Sequence, residues 1–156
     1  YTSSSSTISA YGPVGAGVPN HKLNLAIGIM KAYSSCVGEG PFTVEMFGDE
    51  AHALREAGGE YGAATGRPRR VGAFDAVASR YGVRVQGADF PTGEALNQAK
   101  PVFEYLPGWK CDISGARKFE DLPEAAQNYV LAIEKMVGCP IKYVSVGAER
   151  DAYIER

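Results

Sequence analysis

The chain has 156 residues, of which 45% are hydrophobic and 22% charged, and a formal net charge of -2. That length suffices for one compact domain, and the balance is that of an ordinary globular protein. The charge gives no expectation of nucleic-acid or anionic-membrane binding, and no stretch approaches the roughly 18–20 apolar residues of a membrane span.

No basic segment followed by an apolar run marks a signal peptide. Cys36, Cys111 and Cys139 are odd in number and far apart, without the paired spacing of a zinc site. A reduced, cytoplasmic chain is expected. The chain begins at Tyr1 instead of Met, which points to a longer reading frame or to processing.

Residues 1–19 are rich in Ser, Thr and Gly and poor in apolar side chains. Two readings stay open there: a frayed terminus, or a hydroxyl-lined loop near a phosphate or sugar. Asn20 as N-cap, with Leu23, Ile27 and Met30 on one face, predicts a helix over His21–Tyr33. Val37–Phe42 reads as a tight loop. A second helix is predicted over Glu50–Ala57, stopped by Gly58-Gly59. A third runs from near Gly72 to about Tyr81, with Phe74, Val77, Ala78 and Tyr81 on its apolar side. Val83–Gln86 alternates as a short strand.

The clearest helix is Leu122–Val137, with Asp121 as N-cap, Pro123 in the first turn, and Gly138 and Pro140 as stops. Tyr129, Ala132, Ile133 and Met136 share one of its faces. Ile141–Ser145 follows as a strand that leads into a turn at Gly147. The pattern is α/β, helices with few short strands, in a single domain over residues 1–156.

The segment richest in chemistry is Gly58-Gly59-Glu60-Tyr61-Gly62-Ala63-Ala64-Thr65-Gly66-Arg67-Pro68-Arg69-Arg70. Its four glycines permit close approach of a ligand and positive φ angles. Its three arginines lie within four residues, and the planar guanidinium fork suits carboxylates and phosphates. Like charges held this close repel one another, which an anion between them would relieve. Helix N–H groups after Gly72 would add to the positive field. The plain alternative is a solvated basic turn that pairs with acids such as Glu60 and Asp75. A nucleic-acid patch is disfavoured by the small footprint and the lack of interleaved aromatics.

Gly62–Gly66 is not a P-loop, because no Gly-Lys-Ser/Thr ending occurs in the chain. The two histidines, His21 and His52, read as surface residues, and no Ser/His/Asp set emerges. Cys36 reads as an inert thiol before the Val37–Phe42 loop.

Taken together, Lys31-Ala32-Tyr33, Val37–Phe42, Gly58–Ala63, Thr65–Arg70 and Phe74–Ala78 resemble the adenylosuccinate synthetases in order and spacing. Leu106–Trp109, Tyr129 with Ile133-Glu134, and Val144-Ser145 to Arg150-Asp151 continue the likeness over nearly the whole chain. The resemblance implies the C-terminal part of a mixed-sheet, GTP-dependent synthetase. Such enzymes ligate inosine monophosphate (IMP) to L-aspartate, with GTP and Mg²⁺, in AMP biosynthesis, usually as cytoplasmic homodimers.

By the same resemblance, Thr65, Arg67 and Arg69 would bind aspartate. Ser3, Ser4, Val37, Gly38 and Arg67 would contact IMP, and Arg69, Ser145 and Gly147 would contact GTP. No catalytic residue and no metal ligand is carried by this chain under that reading. The family's phosphate loop, its aspartate base and Mg²⁺ ligand, and its histidine acid have no counterpart here, so the chain alone is expected to be inactive.

A further block, with the family's guanine-recognition strand, is missing after Ala88. Either the protein has a real deletion between residues 88 and 89, or that stretch exists in the molecule and is left out of this sequence. Ala64 stands where the family usually has Thr, Ala73 where it has Trp, and Ala148 where it has Pro. The alternative function is a non-catalytic remnant that keeps an anion or aspartate site, or serves as a dimerisation module. A third reading, an unrelated basic-loop domain, would bind polyanions with no purine preference.

Overall fold

The computed structural model describes residues 8–18, 23, 26–84, 98 and 100–156. Within them lie two short antiparallel ladders. β1 (Ser34–Cys36) pairs with β2 (Arg70–Gly72), with Ser34 opposite Gly72 and Cys36 opposite Arg70. Between these strands in sequence runs α1 (Gly48–Gly58), which packs against β2. Ala51 of the helix and Val71 of the strand are both buried. Asp49 and Glu50 in the first turn and Arg55 in the last suit the helix dipole. Gly59 then ends the helix in the left-handed region, at φ 59°.

The second half is built on α2 (Ala76–Arg84) and α3 (Glu124–Val137), which pack together. Arg80 Nε donates to the Met136 carbonyl at 2.6 Å across that contact. Beyond α3, β3 (Tyr143–Ser145) and β4 (Tyr153–Glu155) form a hairpin with Val144 opposite Ile154. Ala116, Leu122, Ala126 and Ile154 make a core cluster, closed by Trp109, Ile113, Phe119, Val144 and Val146. The Trp109 and Tyr129 rings pack at 5.9 Å, and Tyr129 Oη donates to the Ala32 carbonyl at 2.5 Å. This bond ties α3 to the segment just before β1.

The expectation of helices with few short strands holds. The helices expected over Glu50–Ala57 and Leu122–Val137 are present as α1 and α3, with Gly59 and Gly138 as left-handed caps. The Val37–Phe42 loop is a loop, and the expected Ile141–Ser145 strand is β3.

Other expectations are corrected. Residues 26–33 are not helical, and Leu23, Ile27 and Met30 are exposed instead of lining one buried face. Residues 21, 22, 24 and 25 of that expected helix lie outside the described residues. The run around Ile27 and Ile29 also alternates with period two, and Gly28 weakens a helix, so the local pattern was ambiguous.

Gly72 does not begin a helix. It ends β2, where a Cβ would lie 2.2 Å from the Val44 carbonyl oxygen. The helix starts at Ala76, with Asp75 Oδ1 accepting from the Ala78 N–H at 2.8 Å. The free helix terminus expected behind the arginines is therefore displaced and already capped. Val83 and Arg84 belong to α2 and not to a strand, and residues 85–86 lie outside the described residues.

Asp121 does not cap the long helix. Pro123 holds that place, and Asp121 Oδ2 accepts from the Arg117 and Lys118 N–H groups at 3.2 and 2.9 Å around a short 3-10 turn, Phe119–Asp121. Near the start of the chain, Ser9–Gly15 forms a 3-10 turn and one helical turn, with Pro13 buried. Among the described residues, no helix is long and apolar enough to cross a membrane.

Candidate functional site

The arginine segment folds as a small hairpin after α1. Tyr61 bridges Pro68, and the Arg69 N–H donates to the Glu60 carbonyl at 2.9 Å. The Gly62 N–H donates to the Arg67 carbonyl at 2.9 Å, and the Gly66 N–H to the Gly62 carbonyl at 2.8 Å. Gly66 turns the chain at φ 63°, a conformation that disfavours any side chain. Thr65 Oγ1 accepts from the Arg67 N–H at 3.3 Å. The tip is thus fixed by its own backbone, and Thr65 and Arg67 are left exposed on it.

Not every glycine of the segment serves a ligand. A Cβ on Gly58 would lie 2.3 Å from Tyr33 Oη, so that glycine makes room for a tyrosine of the same chain.

Beneath the hairpin sits Glu60, only 2% exposed. Its carboxylate accepts from Lys31 Nζ at 2.7 Å, Tyr33 Oη at 2.6 Å and Arg69 Nη1 at 3.0 Å. Burial pushes the carboxyl pKa up, but donation from Lys31, Tyr33 and Arg69 outweighs it and holds the group down at about 2. Burial and the hydrogen bond to Glu60 push the Tyr33 hydroxyl up to about 12. Arg69 Nε is buried without a hydrogen-bond partner among the described residues.

The three arginines have different fates. Arg69 is paired with Glu60, and Arg70 with Glu45. The guanidinium of Arg67 has no hydrogen bond or ion pair among the described residues. The mutual repulsion inferred from sequence is therefore relieved in part by carboxylates of the chain itself. The plain reading of a basic turn paired with Glu60 holds for Arg69. It fails for Asp75, whose carboxylate caps α2.

Val37 and Gly38 lie exposed in the loop after β1. Arg70 Nη1 donates to the Gly38 carbonyl at 3.1 Å, which brings this loop to the arginine hairpin. Ser145 and Gly147 stand on the β3–β4 hairpin, where Ser145 Oγ donates to the Gly147 carbonyl at 3.0 Å. No hydrogen bond or ion pair among the described residues links them to the arginines. Ser3 and Ser4 lie outside the described residues, as does His21. His52 is exposed on α1. Among the described residues, no group of three or more His, Cys, Asp or Glu side chains gathers to hold a metal ion.

Sequence reasoning missed the parts played by Lys31, Tyr33, Glu45 and Arg70. Lys31 and Tyr33 stood in a recognisable block, and Arg70 in the arginine run, but nothing local marked their distant carboxylate partners.

Fold and hairpin define an α/β chain that presents an arginine-bearing turn over a buried carboxylate. The family model described as adenylosuccinate synthetase matches residues 1–90 and 84–154. The adenylosuccinate synthetase of Pelobacter propionicus is 42% identical over 186 residues, covering 99% of this chain and 43% of that protein. That of Geobacter sulfurreducens is 41% identical with the same coverage. Among solved structures, the fully ligated adenylosuccinate synthetase from Plasmodium falciparum superposes with a TM-score of 0.85 at 34% identity. That superposition covers 99% of this chain and 45% of the other. The chain belongs to the adenylosuccinate synthetase family, a family of ligases. It spans about 43% of the length of the curated relatives it matches.

Proposed function

We propose that this chain supplies part of the substrate site of a GTP-dependent ligase that joins IMP to L-aspartate in purine biosynthesis. The observation that carries the reading is Arg67. Its guanidinium is exposed at the tip of a braced hairpin, with no partner among the described residues, in a member of this ligase family. A dicarboxylate would meet the planar fork of Arg67 and the hydroxyl of Thr65, with Arg69 behind them held by Glu60. Under this reading Thr65, Arg67 and Arg69 bind aspartate. Val37, Gly38, Ser3, Ser4 and Arg67 contact IMP, and Arg69, Ser145 and Gly147 contact GTP.

The family implies Mg²⁺; among the described residues, no group of three or more His, Cys, Asp or Glu side chains gathers to hold it. The phosphoryl-transfer groups belong to parts of the family fold that have no counterpart here, and we infer that these residues alone do not turn over. Two findings support a missing internal block. The family match comes in two segments that meet between residues 84 and 90, and the alignments extend over 186 residues against the 156 of this chain. A homodimer in the cytoplasm completes the proposal.

The test combines the intact mass of the purified protein, an assay for adenylosuccinate, and calorimetry with aspartate and IMP. A longer protein that synthesises adenylosuccinate supports the reading. A longer protein without synthesis overturns it, and binding without turnover favours a remnant.

A further inference from the structure

Arg70 differs from its neighbours in how completely its donors are engaged. Nε donates to Glu45 Oε1 at 2.8 Å, Nη2 donates to Glu45 Oε2, and Nη1 donates to the carbonyls of Gly38 at 3.1 Å and Gly40 at 2.9 Å. Its guanidinium carbon also lies 5.3 Å from the centroid of the Phe42 ring. Of the five N–H groups on a guanidinium, those bonds engage four. Little is left for a ligand.

The anchoring on both sides is firm. The Arg70 backbone is paired in β2 opposite Cys36, the last residue before the 37–42 loop. Glu45 is bridged to Gly72, and its N–H donates to the Phe42 carbonyl at 3.1 Å. The 37–42 loop is therefore wrapped around one guanidinium that sits at the root of the arginine hairpin. Partners 25 to 32 residues away in sequence converge on it. A lysine could supply the charge but not the fork, because an ammonium cannot meet both carboxylate oxygens and two carbonyls in one plane.

We propose that Arg70 is a positioning residue that clamps the 37–42 loop to the arginine hairpin and sets the separation of the ligands the two would hold. This rests on the function proposed above, in which the loop serves IMP and the hairpin serves aspartate. Arg70 touches neither ligand and acts on both through backbone. Its loss shifts two substrates together, whereas loss of Arg67 falls chiefly on aspartate.

The test uses the protein expressed from its whole reading frame. Arg70→Met, Arg70→Lys and Glu45→Gln are compared with wild type in steady-state synthesis, with IMP and aspartate varied in turn. Hydrogen exchange of the residue 45 amide, which donates to the Phe42 carbonyl at the end of the loop, is followed alongside. For Arg70→Met the KM values for IMP and aspartate rise together by about tenfold or more, the scale at which small misplacements act. Arg70→Lys does not restore them, and Glu45→Gln moves both in the same direction by less. Exchange of the residue 45 amide accelerates while α3 keeps its protection.

A rise in one KM alone, or unchanged protection of the residue 45 amide, overturns the proposal. If Arg70→Met does not fold, Glu45→Gln decides on the same readouts. If wild type makes no adenylosuccinate, the functional reading falls and the exchange measurement decides the clamp by itself.

Discussion

Glu60 and Arg69 meet at 3.0 Å, Oε2 to Nη1, with the glutamate side chain only 3% exposed and the arginine side chain 33%. Nine residues apart in sequence, they lie at facing positions of one hairpin, also joined by the Arg69 N–H and the Glu60 carbonyl. The carboxylate is shared with Lys31 and Tyr33, so a single buried acid fixes the base of the arginine turn.

Removing that acid takes the shared acceptor from Tyr33 and Arg69, while Lys31, half exposed, keeps Ser35 Oγ at 2.6 Å. Glu60→Ala is expected to destabilise the protein by about 1–3 kcal/mol, the scale for unsatisfied buried donors. The check is the urea midpoint. A midpoint equal to wild type would mean that water or a neighbour replaces the carboxylate.

The same group sets an acid limit. Its carboxyl pKa is lowered from the usual 4.5 to about 2 on folding. Its contribution is therefore present above pH 4.5 and lost as the pH falls through about 2. The stability gap between wild type and Glu60→Gln is expected to narrow across that window. A gap that stays constant there would contradict it. Tyr33 works with the opposite sign, since its pKa is raised from 10.0 to about 12. Its contribution is present below pH 10.0 and lost as the pH rises through about 12. Tyr33→Phe removes that alkaline loss.

Gly72→Ala tests the close approach of β2 to Val44. The new Cβ would lie 2.2 Å from a backbone oxygen, which no rotamer can relieve. A loss of about 1–3 kcal/mol is expected, as for an overpacked core. A melting temperature equal to wild type would show that the β2 backbone yields.

Arg67→Leu separates binding from folding. Because its guanidinium holds no partner among the described residues, the urea midpoint should not move. In the complete enzyme, the aspartate requirement should rise far more than the GTP requirement. An unchanged aspartate dependence would remove the role proposed for the hairpin.

Ile154 is fully buried in the core cluster. Ile154→Ala should lower stability by about 2–5 kcal/mol, the range for truncating a large aliphatic in a packed core. Equilibrium denaturation reads it directly, and a loss below that range would mean that β4 carries little of the core.

What the sequence by itself determined is whatever depends on neighbours in the chain. α1 and α3 were legible from periodicity and from the glycines that end them, the arginine turn from its composition, and the family from ordered blocks. Distance along the chain hid the rest. Ala26–Tyr33 carries a pattern that suits helix or strand alike, and no local cue showed that Tyr129 bonds to the Ala32 carbonyl 97 residues away. The fate of the arginines was equally hidden. Three guanidinium groups within four residues look alike in sequence, yet Arg67 has no partner among the described residues, Arg69 is tied to Glu60, and Arg70 holds a loop. Only tertiary structure decided this, because a hydrogen bond forms where the folded chain brings donor and acceptor together, and Glu45 lies 25 residues from Arg70.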